Sequence, residues 1–314
     1  MPNLETAAVE HIAFYPVKSC GGIELQSAIL TGAGLESEGY ADRGFFIVRA
    51  TSNDQGIHEF ITQRDMRDAQ DRPQSLADLA LIKTKFVGCL LTLSCNGNYR
   101  IEVPPDADRG PQIPVRIWAD DCLAIDQGDM LARWLSDSLN LKVRLVKAAG
   151  PFNREARQNY MLNQNMIWGQ DAYPIHWFSG ESLDELSQKT GEEIPWQTFR
   201  PNIVVSGIPA QFEHQVFKGE IAGIPFVDPK PCDRCPTTRV DQETGQIRDK
   251  KFWPEAILST YKRWRNIEGD VKVIFGENML PLGSGEIAVG DELVVTSYRN
   301  PPLVYGDQLN RLAS

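Results

Sequence analysis

The sequence lacks any apolar run of the length that crosses a membrane as a helix, which takes about 18 or more residues. Its strongest apolar segments, RGFFIV (43–48) and CLLTLSC (89–95), have the length of buried strands instead. The first residues, MPNLETAAVEHIAFYPVKS, also lack the basic segment and apolar run of a signal peptide, and they do not resemble an Arg-rich presequence. We therefore expect a cytoplasmic protein with no membrane span.

Cysteine is scarce as well, and the chain of 314 residues contains six: Cys20, Cys89, Cys95, Cys122, Cys232 and Cys235. This number is too small for a disulfide scaffold, so we expect reduced thiols. An excess of basic residues is also missing. The net charge of -10 argues against nucleic acid or an anionic membrane as the main partner. With 42% hydrophobic and 24% charged residues, the composition is typical of a soluble globular protein.

The first third of the chain contains many short strand candidates, with little between them that predicts a helix. They span residues 9–17, 22–30, 43–50, 58–64, 79–84, 90–95, 99–103 and 114–119. The turn CNGN joins two of them as a hairpin, because Asn96 and Gly97 tolerate positive φ. Short, closely spaced strands of this kind favour an antiparallel barrel or sandwich over βαβ units.

The pattern changes at Asp126, where apolar side chains begin to follow helical spacing. Helices are predicted at 126–140, at 179–191 and at 252–264. Strands are predicted at 143–147, 174–179, 200–207, 271–276 and 290–297, with a long polar loop at 150–170. Since a domain takes about 100 to 200 residues, the chain predicts two domains, 1–127 and 128–314. The expected fold class is mostly β with some α (α+β).

The segment PKPCDRCPTTRVDQETG places Cys232 and Cys235 three positions apart among prolines and basic residues. A zinc site needs four ligands, commonly as two close pairs, and here there is one close pair. A redox dithiol needs the first turn of a helix, whereas the residues after Cys235 look like strand and turn. A single thiolate, stabilised by Lys230, Arg234 and Arg239, would suit a metal ligand or sulfur carrier. Two buried apolar cysteines are the plain alternative, and the local sequence leaves all four open.

This segment resembles the cysteine motif of the MOSC-domain molybdenum-cofactor proteins. Four further stretches, FYPVKSCGGIEL, DRGFFIV, FRPNIVV and FGENMLPLGSGEIAVGDEL, are similar to other motifs of that family and occur in the same order. The resemblance covers nearly the whole chain. It implies an N-terminal β-barrel domain packed on a β-barrel MOSC domain with peripheral helices. In architecture the chain is similar to the mitochondrial amidoxime reducing component and to bacterial reductases of N-hydroxylated compounds.

The resemblance implies a molybdenum–molybdopterin cofactor whose metal is held by Cys235, the second cysteine of the motif. The adjacent Arg234 would favour the anionic sulfur. The matching motif positions imply further cofactor contacts at Lys18, Ser19, Arg43, Ala172, Tyr173, Arg200, Asn202 and Asn278. Phosphate is suited to Arg and Lys donors, which an acidic protein has to gather locally. Asp171 is a candidate proton donor and completes the predicted site.

The implied activity is the two-electron reduction of N-hydroxylated (N–OH) compounds. The sequence has no cysteine beyond Cys235 for an iron–sulfur cluster of its own, so we expect electrons from a separate protein. That partner would be ferredoxin-like, or a b-type cytochrome with its flavin reductase. The alternative is a carrier of sulfur or of the molybdenum cofactor, with Cys235 as the persulfide or ligand site.

Overall fold

A computed structural model describes residues 6–64, 76–96, 99–105, 108–149 and 168–300. Over these ranges it contains 21 strands: β1 Thr6–Phe14, β2 Ile23–Leu25, β3 Ser27–Thr31, β4 Gly34–Ser37, β5 Tyr40–Ala41, β6 Phe45–Arg49, β7 His58–Glu59, β8 Lys83–Val87, β9 Leu90–Ser94, β10 Ile101–Val103, β11 Gln112–Ile117, β12 Asp120–Asp126, β13 Val143–Ala148, β14 Ile175–Ser179, β15 Ile203–Ser206, β16 Val216–Ile221, β17 Ile224–Asp233, β18 Arg263–Arg265, β19 Val271–Pro281, β20 Gly285–Ala288 and β21 Glu292–Tyr298. Three α-helices accompany them: α1 Asp129–Leu139, α2 Gly180–Thr190 and α3 Pro254–Tyr261. No helix in the described ranges is long and apolar enough to cross a membrane.

Seven strands, β1 and six from the second half of the chain, form a closed barrel. Their order is β14-β15-β1-β21-β16-β17-β19, and β19 pairs again with β14 to complete the ring. β2 pairs with β1, and β18 pairs with β19, outside this ring. Large apolar side chains fill the interior, among them Trp177, Ile203, Phe226 and Val295. A closed ring leaves no unpaired strand edge, although the register shifts in three of its pairings, β1–β15, β16–β21 and β17–β19.

A second, smaller sheet has the order β6-β13-β12-β11-β7. An isolated bridge between Val48 and Phe60 brings its two edges together, so this barrel is nearly closed. It has a core of its own, which includes Phe46, Val115 and Val146. The remaining strands form two further sheets, with the orders β10-β9-β8 and β20-β3-β4-β5. The predicted class, mostly β with barrels and peripheral helices, is confirmed.

The two halves of the chain exchange strands. β1, from the first residues, lies in the large barrel between β15 and β21. β20, from the end of the chain, pairs with β3. The division at residue 127 stays a prediction, and the cleft described below lies where segments from both halves meet.

The three predicted helices are present, but the third is shorter than predicted: α3 ends at Tyr261, and Arg263 and Trp264 belong to β18, which pairs with β19. The Ser179 hydroxyl accepts a hydrogen bond from the Ser182 N–H at the start of α2, and Gly191 ends that helix at φ 72°. Pro254 occupies the first turn of α3, as predicted. In α1 the apolar side chains Leu131, Trp134 and others at that spacing are buried.

Some predicted strands are wrong in extent. Residues 79–84 were expected to form a strand, but Ala77–Leu81 forms a 3₁₀ turn and the strand β8 begins at Lys83. The strand expected at 58–64 is reduced to His58–Glu59. Most of the loop predicted at 150–170 and half of the CNGN turn lie outside the described residues.

Candidate functional site

One cleft of about 490 Å³ brings the whole predicted site together. All eleven predicted residues line it: Lys18, Ser19, Arg43, Asp171, Ala172, Tyr173, Arg200, Asn202, Arg234, Cys235 and Asn278. Most of them lie in the loops after β1 and β17 and in the loops before β6, β14 and β15. Asn278 lies in β19 itself. The sequence motifs therefore gave a set of residues that the fold places side by side, while their individual roles stay predictions.

Cys235 lies where strand β17 gives way to a 3₁₀ turn. The turn runs over Pro236–Arg239, and the Cys235 carbonyl accepts from the Thr238 N–H at 3.3 Å and from its hydroxyl at 3.2 Å. Strand and turn were expected after Cys235, so the short helical turn is a correction; Pro236 favours it, because its fixed φ suits a first helical position. The Cys235 sulfur is half-buried and 3.3 Å from the Thr237 hydroxyl.

The basic neighbours of the cysteine pair contact groups other than the Cys235 sulfur. Arg234 Nη1 donates to the Cys232 sulfur at 3.0 Å. Lys230 pairs with Asp233, and Arg239 pairs with Glu255. Among the described contacts, none joins these three cations directly to the Cys235 sulfur, so their stabilisation of a Cys235 thiolate stays a prediction.

Cys232 has the properties of a protonated thiol. Burial raises its pKa to about 11, although Arg234 acts in the opposite direction. All six cysteines are free thiols in the structure. Among the described residues, no group of three or more His, Cys, Asp and Glu side chains is arranged to hold a metal ion on its own. A zinc site built from the protein alone is thus not present in that part of the chain.

Arg43 and Arg200 lie against the same aromatic ring. The guanidinium carbons of Arg43 and Arg200 are 4.8 Å and 4.4 Å from the centroid of Tyr15. Arg43 pairs with Asp42, and its Nη2 donates to the Arg200 carbonyl at 3.3 Å. Burial lowers the pKa of Arg200, and the nearby Arg43 lowers it further. Two cations held this close favour a bound anion.

Three residues of the predicted site have left-handed backbone conformations. Their φ values are 68° at Ser19, 55° at Arg43 and 52° at Arg200. Residues other than glycine adopt the left-handed region of φ and ψ at a cost of about 1–3 kcal/mol, and residues with such strained backbones cluster at functional sites. The surrounding structure therefore holds these three side chains in place against a local preference.

The two asparagines of the site are fixed by the protein. Asn202 Oδ1 accepts from Arg43 Nη1 at 3.2 Å and from the His176 N–H at 3.3 Å, and its Nδ2 donates to the Ala13 carbonyl at 3.2 Å. Asn278 Nδ2 donates to the Pro231 carbonyl at 3.1 Å. Asn202 therefore orients Arg43 through this hydrogen bond, whether or not Asn202 also contacts a cofactor.

The mouth of the cleft contains an ion pair with an aromatic neighbour. Lys18 Nζ donates to Asp171 and to the Gly169 carbonyl at 2.6 Å, and Trp118 Nε1 donates to the same Asp171 oxygen at 3.2 Å. Burial opposes ionisation of Asp171, but attraction to Lys18 outweighs it and lowers the pKa to about 2. At neutral pH this side chain is a carboxylate, and its 60% exposure lets solvent moderate the pairing.

Several residues of the cleft were not found from the sequence. His176 lies at 3.3 Å from Arg234 Nη1, and burial together with Arg234 lowers its pKa well below 6.5, so the imidazole is neutral. Trp118 also lines the cleft, and the guanidinium carbon of Arg64 is 4.1 Å from the centroid of its ring. His176 and Trp118 both fall in predicted strands, but that pattern does not indicate that they face the cleft, and Trp118 reaches it from the β11–β12 hairpin.

Two guanidinium groups of the cleft lack anionic partners. Arg200 and Arg234 form no ion pair with any residue that the structure describes. Over the same residues, Arg200 Nη2 and Arg234 Nε are buried with no hydrogen-bond partner. Buried donors are nearly always satisfied in native proteins, so each points to a missing acceptor. The cleft therefore combines a half-buried thiol with donors suited to an anion.

Comparison with known proteins assigns the chain to a family. The MOSC N-terminal beta barrel domain matches residues 6–142, and the MOSC domain matches residues 164–294. The chain therefore belongs to the MOSC-domain proteins that begin with this N-terminal barrel.

The relatives include amidoxime reducing components and a molybdenum cofactor sulfurase. Mitochondrial amidoxime reducing component 2 of Rattus norvegicus is 27% identical over 285 residues, which cover 88% of this chain and 78% of that protein. Mitochondrial amidoxime-reducing component 1 of Homo sapiens is 25% identical, over 91% of this chain and 82% of that protein. Molybdenum cofactor sulfurase 2 of Culex quinquefasciatus is 25% identical over 77% of this chain, which matches 31% of that longer protein.

Proposed function

We propose that this chain is a molybdenum-cofactor-dependent reductase of N-hydroxylated compounds that receives electrons from a separate protein. The observation that carries the proposal is the cleft, where the half-buried thiol of Cys235 lies among cations and unpartnered guanidinium donors. The names of the relatives support the reaction class.

The residues of the cleft fit the cofactor. A cysteine thiolate is a soft ligand suited to molybdenum, and Cys235 is the predicted ligand. The pterin of this cofactor carries a phosphate, which suits the charge of Arg43, Lys18 and Arg200; Arg200 Nη2 has no hydrogen-bond partner among the described residues. When bound, the cofactor supplies two-electron redox chemistry, while the protein supplies ligation, orientation and access.

The overall reaction balances without any further reagent. The N–O bond of the substrate breaks, two electrons come from the donor protein and two protons come from solvent. The products are the reduced nitrogen compound and one molecule of water. The polar mouth of the cleft lets water supply the protons.

Asp171 is the predicted catalytic residue of the chain besides Cys235. Its lowered pKa makes it an anion at neutral pH, so it accepts a proton before it can donate one. In the resting cleft it holds Lys18 and Trp118 together. We propose that this contact keeps both side chains at the entrance through which the substrate passes.

The proposal is tested with protein made in a host that synthesises the cofactor. We expect molybdenum and pterin to copurify with the chain, and we expect it to reduce benzamidoxime to benzamidine with an artificial one-electron donor. Cys235→Ser should lose the molybdenum and the activity. The matched control is Cys89→Ser, because Cys89 is exposed and does not line the cleft. Unchanged molybdenum content in Cys235→Ser would show that another group holds the metal, and loaded protein without turnover would exclude this activity.

A second candidate function is a carrier of sulfur or of the cofactor, with Cys235 as the persulfide or ligand site. The similarity to a molybdenum cofactor sulfurase favours it. Mass spectrometry of freshly purified protein separates the two functions. A carrier shows labile sulfur on Cys235 or cofactor that exchanges readily, whereas the reductase shows one tightly held molybdenum.

A further inference from the structure

Two glutamine side chains join the loop after the cysteine motif to the first half of the chain. Gln242 Nε2 donates to Gln63 Oε1 at 2.8 Å, and Gln63 Nε2 donates to Gln242 Oε1 at 3.0 Å. We call these two amides the glutamine pair. Neither residue belongs to the predicted site, and neither lines the cleft.

Each member of the glutamine pair holds a residue of the cleft. Gln242 Oε1 also accepts from Arg200 Nη1 at 3.2 Å, and Gln63 Nε2 also donates to the Ser19 carbonyl at 2.7 Å. Gln242 Nε2 has the Val240 carbonyl as a second acceptor at 3.2 Å. The orientation of the Gln242 amide follows from Arg200, which can only donate and therefore needs the oxygen.

The backbone of the loop is anchored without the Gln242 side chain. Lys83 Nζ donates to the Gln242 carbonyl at 2.9 Å and to the Glu243 carbonyl at 3.3 Å. Val240 packs against Ala77 and Ala80 in a small buried cluster. Truncation of the Gln242 side chain therefore leaves the loop in place and tests what the amide itself does.

The glutamine pair restricts Arg200 and leaves part of its guanidinium available. Nη1 is bound to Gln242, the Tyr15 ring covers one side, and Nη2 has no hydrogen-bond partner among the residues that the structure describes. A donor held in its binding geometry loses less conformational entropy when the ligand arrives. The adjacent Ser19, whose carbonyl Gln63 binds, is held in its left-handed conformation in the same way.

We propose that Gln242 and Gln63 are positioning residues that fix Arg200 and Ser19 for the phosphate end of the ligand. The inference rests on the proposed function, because it assumes that the cleft binds a phosphate. It adds that the first half of the chain sets the anion affinity of the cleft through this amide contact.

The probe is inorganic phosphate, titrated by calorimetry into the full-length chain purified without cofactor. The variants are Gln242→Ala, Arg200→Ala and the double variant. The control is Gln246→Ala, an exposed glutamine of the same loop. We expect phosphate to bind about three- to tenfold more weakly to Gln242→Ala and about tenfold or more weakly to Arg200→Ala. Gln246→Ala should bind like the wild type.

The double variant separates positioning from a general structural effect. Because Gln242 acts through Arg200, the double variant should bind phosphate no more weakly than Arg200→Ala alone. Losses that add, or wild-type affinity in Gln242→Ala beside a weakened Arg200→Ala, overturn the inference and leave the anion site standing. Phosphate binding that is absent in the wild type, or unchanged in Arg200→Ala, contradicts the anion site itself and hence the proposed function.

Gln63 provides an independent variant. Gln63→Ala should weaken phosphate binding about as much as Gln242→Ala, and combining the two should add little, since they belong to one contact. Equal unfolding midpoints in urea for Gln242→Ala and Gln246→Ala would confirm that the difference in affinity is not a difference in folding. If Gln63→Ala binds phosphate as tightly as the wild type, Gln63 is not a positioning residue, and the first half of the chain does not set the anion affinity through this contact.

Discussion

The barrel core and the cleft lie on opposite faces of the same strands. Across β14 and β19, Trp177 pairs with Glu277 while His176 pairs with Asn278. Successive residues of a strand point to opposite faces, so a step of one residue leads from one environment to the other. Trp177 packs in the barrel core, and His176 lines the cleft.

Titratable groups in the barrel core are hydrogen-bonded to each other. Glu277 Oε1 lies 2.6 Å from His214 Nδ1, and Glu277 Oε2 accepts from Arg299 Nη2 at 2.6 Å. Asp228 accepts from Trp177 Nε1 at 3.1 and 3.2 Å. These hydrogen bonds join side chains inside the fold. In the cleft, by contrast, Arg200 and Arg234 have no ion pair among the described residues, and Arg200 Nη2 and Arg234 Nε are buried without a hydrogen-bond partner there. The comparison separates polar groups that bond to each other in the core from donors that can still bind a ligand.

The largest expected effect comes from breaking the core network. Glu277→Ala leaves Arg299 buried without its carboxyl partner and removes the hydrogen bond to His214, which should lower the free energy of unfolding by about 3–5 kcal/mol. Urea unfolding measures it. Glu277→Gln keeps the shape and one acceptor, so we expect it to cost less than half as much. A loss below about 1 kcal/mol for Glu277→Ala would mean that the core charges contribute no more than surface pairs do.

A smaller change in the free energy of unfolding is expected when the pH is varied. Burial raises the pKa of Glu277 to about 8, although Arg299 acts against it. Between the ordinary value of 4.5 and about 8, the folded chain keeps a proton that the unfolded chain has lost, so stability is lost as pH rises. His176 and His214, whose pKa values burial lowers, destabilise the fold only below about pH 6.5.

From pH 6.5 to about 8 the two histidines no longer contribute, and burial favours the protonated form both at Glu277 and at the neighbouring Asp228, whose pKa is raised well above its usual value. Across this window the free energy of unfolding should fall by about 1–2 kcal/mol as pH rises. Urea titrations at several pH values measure the slope, and Glu277→Gln should flatten it. A wild-type stability that rises with pH in this window would contradict the protonated core carboxyl.

The smallest effect on stability is expected in the cleft. Arg200→Met removes a buried cation that has no ion pair in the described part of the chain, so stability without ligand should stay unchanged or rise by up to about 1 kcal/mol. The matched variant Arg299→Met removes a paired cation from the core and should cost about 3 kcal/mol or more. Urea unfolding compares the two. Equal losses of unfolding free energy in Arg200→Met and Arg299→Met would mean that the cleft arginine and the core arginine contribute alike to stability.

The sequence predicted the elements that depend on local causes. Ser179 and Gly191 bounded α2 because a cap and a left-handed glycine act on their own neighbours. The predicted strand at 79–84 was wrong in its first half, where the buried Leu76, Leu79 and Ala80 repeat at a helical rather than an alternating spacing.

The motifs predicted a set of site residues that share one cleft, but not how those residues are held there. Arg43 and Arg200 have positive φ, which the sequence gives no reason to expect at arginine. The glutamine pair joins residues 179 positions apart, and Trp118 meets Asp171 across 53. Such contacts depend on the packing of distant segments, so local patterns do not reveal them.

The place of β1 in the large barrel determines the order in which the protein can be completed. Ala8 pairs with Ser206, and Thr6 pairs with Val294, so the ring closes only after the ribosome has made almost the whole described chain. Until then β1 can pair in the ring only with β15, and contacts between residues so distant in sequence form slowly. The strand β1 is thus among the last elements to acquire both of its neighbours in the ring.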